Sequence, residues 1–222
     1  MSLYEIEIKS LLGSEDNAKS LRKKIDENGG VLIGKNKQLN HYFNMSDVAQ
    51  FRKVLEPYIT DSKKGDFEKI LTDGSKFSVR TREADGKVIL VIKASIGSDT
   101  SANGVSRMEF ESEFKMSIDE LDKLLLKAGL EYQAKWSRER EEYKLKDINI
   151  CLDKNAGYGY LAEFEKMSED QSLVESVKKE LYALMGEFGV RELPQDRLER
   201  MFAYYNNNWQ DYYGTDKVFN IE

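Results

Sequence analysis

Charged and apolar residues alternate with a period of two in eight separate stretches of this 222-residue chain: 3–9, 31–43, 75–83, 87–94, 105–115, 131–144, 147–153 and 160–166. Successive side chains of a β-strand leave on opposite sides, so each stretch reads as a strand with one charged and one apolar face. The first is the plainest case. In Tyr4-Glu5-Ile6-Glu7-Ile8-Lys9 the two carboxylates and the ammonium project together, while Ile6 and Ile8 project the other way. Strands of this kind restrict the fold sharply, because every apolar face needs cover and every charged face a polar surround.

A charged strand face ordinarily meets water and mixes signs with Thr and Ser. Here pairs of one sign recur at i, i+2. Arg80 and Arg82 share a face, Lys93 lies opposite Leu90 and Ile92, and Arg107, Glu109 and Glu111 line the reverse of Met108 and Phe110. Arg138 and Arg140 repeat the pattern ahead of Tyr143, Asp153 follows Cys151, and Glu163 and Glu165 flank Phe164. Like charges so close repel unless a ligand of opposite charge lies between them. Arg-x-Arg repeated, with Lys93, suits a polyanion, since guanidinium groups bind phosphate oxygens through paired hydrogen bonds. Glu-x-Glu repeated, with Asp153, suits Mg²⁺ or Mn²⁺, which take hard oxygen ligands and often share them with phosphate. The chain has no G-x-x-x-x-G-K-[ST] loop, so side chains would have to grip the phosphates. The expected arrangement is a sheet curled with its charged faces inward and helices over its apolar faces.

Helix signals fall between the strands. Ser14 precedes Glu15 and Asp16, with Leu21 and Ile25 following and a stop at Gly29-Gly30. Ser46 is expected to cap a short helix through Val48, Phe51 and Leu55 that ends at Pro57. Ser117 with Glu120, and Ser168 with Gln171, have capping-box spacing. A last helix is expected over Arg197 to Tyr205, after Pro194. Asp85-Gly86-Lys87 reads as a hairpin turn, and Ser95 to Gly104 as a polar loop. Residues 1–166 thus hold the strands, and residues 167–222 form a helical extension expected to pack on them. Its aromatic run, Tyr204 to Tyr213, contains no Lys or Arg, which favours packing or a lid over base stacking.

Thirty-four Lys and Arg against forty Asp and Glu give a formal charge of −6, which argues against nucleic acid or an anionic membrane as a partner. Apolar runs are short and the N-terminus turns acidic at once, so neither a signal peptide nor a membrane span is expected and the location reads as cytoplasmic. Cys151, the one cysteine, sits in the apolar segment Ile148 to Leu152 and reads as an inert buried thiol. His41, the one histidine, stands beside Tyr42-Phe43 and reads as structural. Any chemistry would then fall to carboxylates, cations and a metal.

These motifs, taken in order, resemble the CYTH superfamily of triphosphate tunnel metalloenzymes, which includes class IV adenylyl cyclases and thiamine triphosphatases. Glu5-x-Glu7-x-Lys9 is similar to its opening signature, and Gln38 to Phe43 to its Q-x-D-x-Y-F element with Asn40 in place of the acid. Arg80-Thr81-Arg82, Lys93, Arg107-x-Glu109-x-Glu111 and Arg138-x-Arg140-x-x-Tyr143 resemble successive later strands. Asp153 and the run from Gly159 to Glu165 resemble the last two, with Leu161 where an aromatic is usual.

The resemblance implies an α+β fold: a closed eight-stranded antiparallel β-barrel, helices outside it, and a tunnel for triphosphate and one or two metal ions. It implies phosphate binding by Lys9, Arg80, Arg82, Lys93, Arg107, Arg138 and Arg140. Metal would fall to Glu5, Glu7, Glu163, Glu165 and Asp153, with Glu109 and Glu111 nearby, and Lys9, Glu5 and Glu7 would act in catalysis. Hydrolysis of tripolyphosphate, thiamine triphosphate or a similar compound is the first expectation, because water needs no ribose pocket. Cyclisation of ATP with loss of pyrophosphate is the second, and a non-catalytic polyphosphate or nucleotide sensor the third. Either a monomer or a homodimer is compatible with the sequence.

Overall fold

The computed structural model describes residues 4–95, 107–168 and 170–222; of Tyr4, Glu5, Arg107 and Gln171 it describes the backbone alone. All eight expected strands are present: β1 (Tyr4–Gly13), β2 (Val31–Asn44), β3 (Ser75–Ala84), β4 (Lys87–Ser95), β5 (Arg107–Phe114), β6 (Glu131–Leu145), β7 (Ile148–Asn155) and β8 (Gly159–Ser168). They form one antiparallel sheet in the order β1-β8-β7-β6-β2-β3-β4-β5. Six α-helices accompany it among the described residues: α1 (Glu15–Glu27), α2 (Val48–Leu55), α3 (Asp61–Asp73), α4 (Ile118–Lys127), α5 (Val174–Glu187) and α6 (Gln195–Asn208). The loop expected over 95–104 lies, from residue 96, outside the described residues.

The chain divides into two compact units, with β2 changing unit after Lys37 and β6 after Trp136. The first unit holds β1, α1, β7, β8, α5, α6 and the adjoining halves of β2 and β6. Ile6 and Ile8 of β1 join Ile150 and Phe164 of β7 and β8 beneath Leu21 and Ile25 of α1 and Val177, Leu181 and Met185 of α5. This is the apolar parity read from the sequence, and two helices cover it. α1 begins as expected, Ser14 Oγ accepting from the Asn17 N–H at 3.2 Å. It ends where Gly30 packs so close that an added Cβ would fall 2.3 Å from Ile25 Cγ2. The C-terminal aromatic run packs as well: Tyr205, Tyr212 and Phe219 gather round Tyr158 in the β7–β8 turn. Gly157 admits them, since a Cβ there would meet Tyr205 and Phe219 within 3 Å.

The second unit holds α2, α3, β3, β4, β5, α4 and the remaining halves of β2 and β6. Phe43, Val79, Leu90, Ile92 and Phe110 form the strand side of its core, against Phe51, Phe67, Leu121 and Leu125 from the helices. The β3–β4 hairpin turns through Asp85 and Gly86, both at positive φ (52° and 73°), as a two-residue turn of twisted strands requires.

Three local expectations are corrected. Asp47, not Ser46, caps α2, its carboxylate accepting from the Gln50 N–H at 2.9 Å. α3 has no counterpart in the expected elements; its apolar contacts, Phe67, Ile70 and Leu71, occupy only its C-terminal half, and Gly65 interrupts the stretch. The Ser168–Gln171 capping box does not form. Ser168 ends β8 and bonds to the backbone of Asp170, and a 3₁₀ turn at Gln171–Leu173 leads into α5.

Candidate functional site

Each unit carries part of the charged parity. In the first unit, antiparallel register sets Glu7 opposite Glu165, Lys9 opposite Glu163, and Arg140 opposite Asp153. Residues directly opposite share a face, so these side chains all leave the sheet on the side away from Ile6, Ile8 and Phe164. Asp153 is 1 % exposed and is held from both sides. Arg140 grips it with two parallel bonds, Nε to Oδ1 at 2.7 Å and Nη2 to Oδ2 at 2.6 Å, and Arg138 Nη1 donates to Oδ2 at 3.2 Å. Arg140 reaches on to Glu163, which also lies 3.4 Å from Lys9 Nζ, and Lys9 closes the chain with Glu7.

Burial opposes ionisation of Glu163, but Lys9, Arg140 and Arg138 outweigh it and hold the carboxyl near 2, well below the usual range. Burial likewise opposes the charge on Arg140, and its bond to Asp153 with the fields of Glu163 and Asp153 raises its pKa overall. Glu163 and Arg140 are therefore both charged at neutral pH. Tyr143 does not belong to it: it packs in the apolar core, its hydroxyl donates to Glu141 at 3.2 Å, and burial pushes its pKa up to about 12. Cys151 is buried, with its thiol pushed up to about 12 chiefly by burial, which makes it the inert group expected.

In the second unit Tyr42 stands opposite Arg80, Asn40 opposite Arg82, and Lys93 opposite Glu109. Arg80 Nη1 donates to the Tyr42 hydroxyl at 2.7 Å, and Arg82 Nε donates to Asn40 Oδ1 at 3.1 Å. Arg82 lies 3.7 Å from Glu111, and Lys93 lies 3.4 Å from Glu109. Asn40, which stands where the family pattern has an acid, thus orients a guanidinium without neutralising it. Arg80 Nε is buried and makes no hydrogen bond among the described residues. A buried donor without a partner is costly, and here it belongs to a cation on the face expected to meet an anion. Glu5 and Arg107 lie in β1 and β5, but their side chains fall outside the described set.

Sequence reading missed Asp122, the residue that braces this second face from behind. It is 1 % exposed on α4 and accepts from His41 Nδ1, Thr81 Oγ1 and the Tyr132 hydroxyl, each at 2.7 Å. Thr81 sits between Arg80 and Arg82 and points the other way, so the bond to Asp122 anchors the strand that presents both guanidiniums. His41 is structural, as expected. The signal was in the sequence: Asp122 occupies the buried stripe Ile118, Leu121, Asp122, Leu125, where an acid has no place without partners.

The chemistry of the donors, carboxylate oxygen, is the kind a hard divalent cation takes. Glu7 and Glu165 are like charges directly opposite each other, with Glu163 two residues along, and all offer carboxylate oxygen. Among the described residues no three acidic groups converge on a common point, and Glu7, Glu163 and Asp153 are each engaged by a cation of the protein itself.

The CYTH domain family model matches residues 58–197, well over half of the chain. The chain belongs to the CYTH family. No curated protein sequence matches it, but solved structures share the CYTH fold. The PH1012 protein of Pyrococcus horikoshii is similar at 19 % identity and a TM-score of 0.60, over 85 % of this chain and 92 % of that one. A candidate adenylate cyclase from Vibrio parahaemolyticus is similar at 15 % identity and a TM-score of 0.58, over 91 % and 99 %. A third, from Hippeastrum, is a candidate adenylyl cyclase described as having a dominant triphosphatase activity; it is similar at 17 % identity and a TM-score of 0.54, over 92 % and 96 %. At these identities the likeness establishes the CYTH fold and leaves the activity to the residues.

Proposed function

We propose that the protein is a metal-dependent hydrolase of inorganic or small organic triphosphates. The observation that carries the reading is Arg80: a cation braced by Tyr42, standing on a strand fixed by Asp122, with a buried Nε that has no hydrogen-bond partner among the described residues. Such a donor matches a phosphate oxygen. Arg82, Lys93, Arg138, Arg140 and Lys9 extend the same chemistry, and Arg107 joins them by position in the strand. In taking up phosphate, Arg138 and Arg140 exchange part of their bonding to Asp153 and Glu163.

Glu5, Glu7, Glu163, Glu165 and Asp153 would hold Mg²⁺ or Mn²⁺. An ion held there would supply charge neutralisation and polarisation of the phosphorus under attack. Glu7 or Glu5 orients the attacking water by accepting its hydrogen bond, and Lys9 stabilises the charge that grows on the phosphoryl oxygens.

Product analysis tests this directly. The protein is incubated with Mg²⁺ or Mn²⁺ and, separately, tripolyphosphate, thiamine triphosphate and ATP, and the products are resolved. Phosphate release without cyclic nucleotide, abolished by EDTA, is expected. Cyclic AMP with stoichiometric pyrophosphate would make the protein a cyclase. Glu7→Gln should still bind tripolyphosphate and turn nothing over; a wild type equally inert would make the protein a sensor.

A further inference from the structure

Within the first unit a cavity of about 460 Å³ opens between the end of β1, α1 and the segment that joins α5 to α6. Three cations line it: Lys24, Arg191 and Arg197. Lys24 Nζ spends one hydrogen on the Phe188 carbonyl at 2.7 Å, and Arg197 Nε spends its own on the Ile221 carbonyl at 2.8 Å. Arg191 is exposed and makes no ion pair or hydrogen bond among the described residues. The one acid in the lining, Glu192, is engaged by the Tyr182 hydroxyl at 2.8 Å. α6 begins at this cavity, after Pro194, and no side chain caps its first N–H groups.

Ser10 gives the second, independent sign. It is 2 % exposed, lines the cavity, and its hydroxyl makes no hydrogen bond among the described residues. It lies on the helix-covered parity of β1, opposite in direction to Lys9, where an apolar residue would pack better. A largely buried serine, three cations with unused donors and an uncapped helix start make an anion receptor with more positive character than a single negative charge needs. Phe188 and Val190 add an apolar wall, and the volume lies in the range of small-molecule sites.

We propose that this cavity is a second anion site, separate from the charged strand faces, that binds a phosphate monoester carrying an apolar body. The proposal stands whether or not the triphosphate reading does. The probe is phenyl phosphate, titrated calorimetrically into the full chain, with inorganic phosphate as competitor and benzoate as the carboxylate control. Saturable binding is expected, weakened about tenfold or more in Arg191→Ala, weakened in Ser10→Ala, and kept in Arg80→Ala. Arg191→Ala removes an exposed side chain that has no partner among the described residues, so a loss of binding there is not a loss of fold; circular dichroism checks it. No saturable binding would overturn the proposal. So would binding lost in Arg80→Ala but kept in Arg191→Ala, which would send the anion to the strand face, or benzoate binding as tightly as the phosphate.

Discussion

Arg80 and Arg140 carry the same charge in opposite settings. Arg140 is clamped by a buried carboxylate, while Arg80 leans on a neutral phenol. Removing Arg80 therefore strands no acid: Arg80→Ala should weaken tripolyphosphate binding by about 1.5–3 kcal/mol and leave thermal stability close to wild type. An unchanged affinity would detach this face from binding. Arg140→Ala leaves Asp153 buried beside Arg138 alone, and urea unfolding should show a loss of about 3–5 kcal/mol. Sequence parity showed which cations share a face but not which are spent inside the protein. That depends on cross-strand register, and Asn40, Tyr42 and Asp153 acquire their partners only through it.

Among the elements, α4 does two jobs: it covers the second core with Leu121 and Leu125, and it carries Asp122 to the back of β3. Its start is a reciprocal capping box, Ser117 Oγ accepting from the Glu120 N–H and Glu120 accepting from the Ser117 N–H. Ser117→Ala should cost about 1 kcal/mol in chemical denaturation, and an unaltered midpoint would mean that tertiary packing alone sets this helix. The same spacing at Ser168 and Gln171 deceived because Ser168 is still paired in β8, so its hydroxyl serves a turn and not a helix. Strands were legible because period two extends over many residues. α3 was not, because a helix whose apolar contacts are confined to its last two turns offers no complete period to read.

For the molecule as a whole, several acids are held below their usual pKa: Glu163 near 2, with Glu141 and Asp122 lowered by their hydrogen-bond donors against the pull of burial. Each binds protons more readily when the chain is unfolded. Their stabilisation is thus complete above the unfolded values, 4.5 for Glu and 3.8 for Asp, and is lost as pH falls below them, down to about 2 in the case of Glu163. The urea midpoint should be flat between pH 7 and 5.5 and fall steeply below 4.5, with a shallower fall in Glu163→Gln; equal slopes would remove Glu163 from the account.

The two units also differ in when they can exist. Everything in the second comes from residues 38–136, whereas β1, at residues 4–13, must pair with β8, which begins at Gly159. At roughly 5–20 residues per second, the ribosome needs on the order of ten seconds or more after finishing the first strand to supply its partner. For that interval Ile6 and Ile8 have no strand beside them, and the turn at Gly157 waits longer still, for Phe219 near the end of the chain. Assembly thus runs from the middle outward: the Glu-x-Glu-x-Lys motif of β1 is made well before β8 and finds its place only after it.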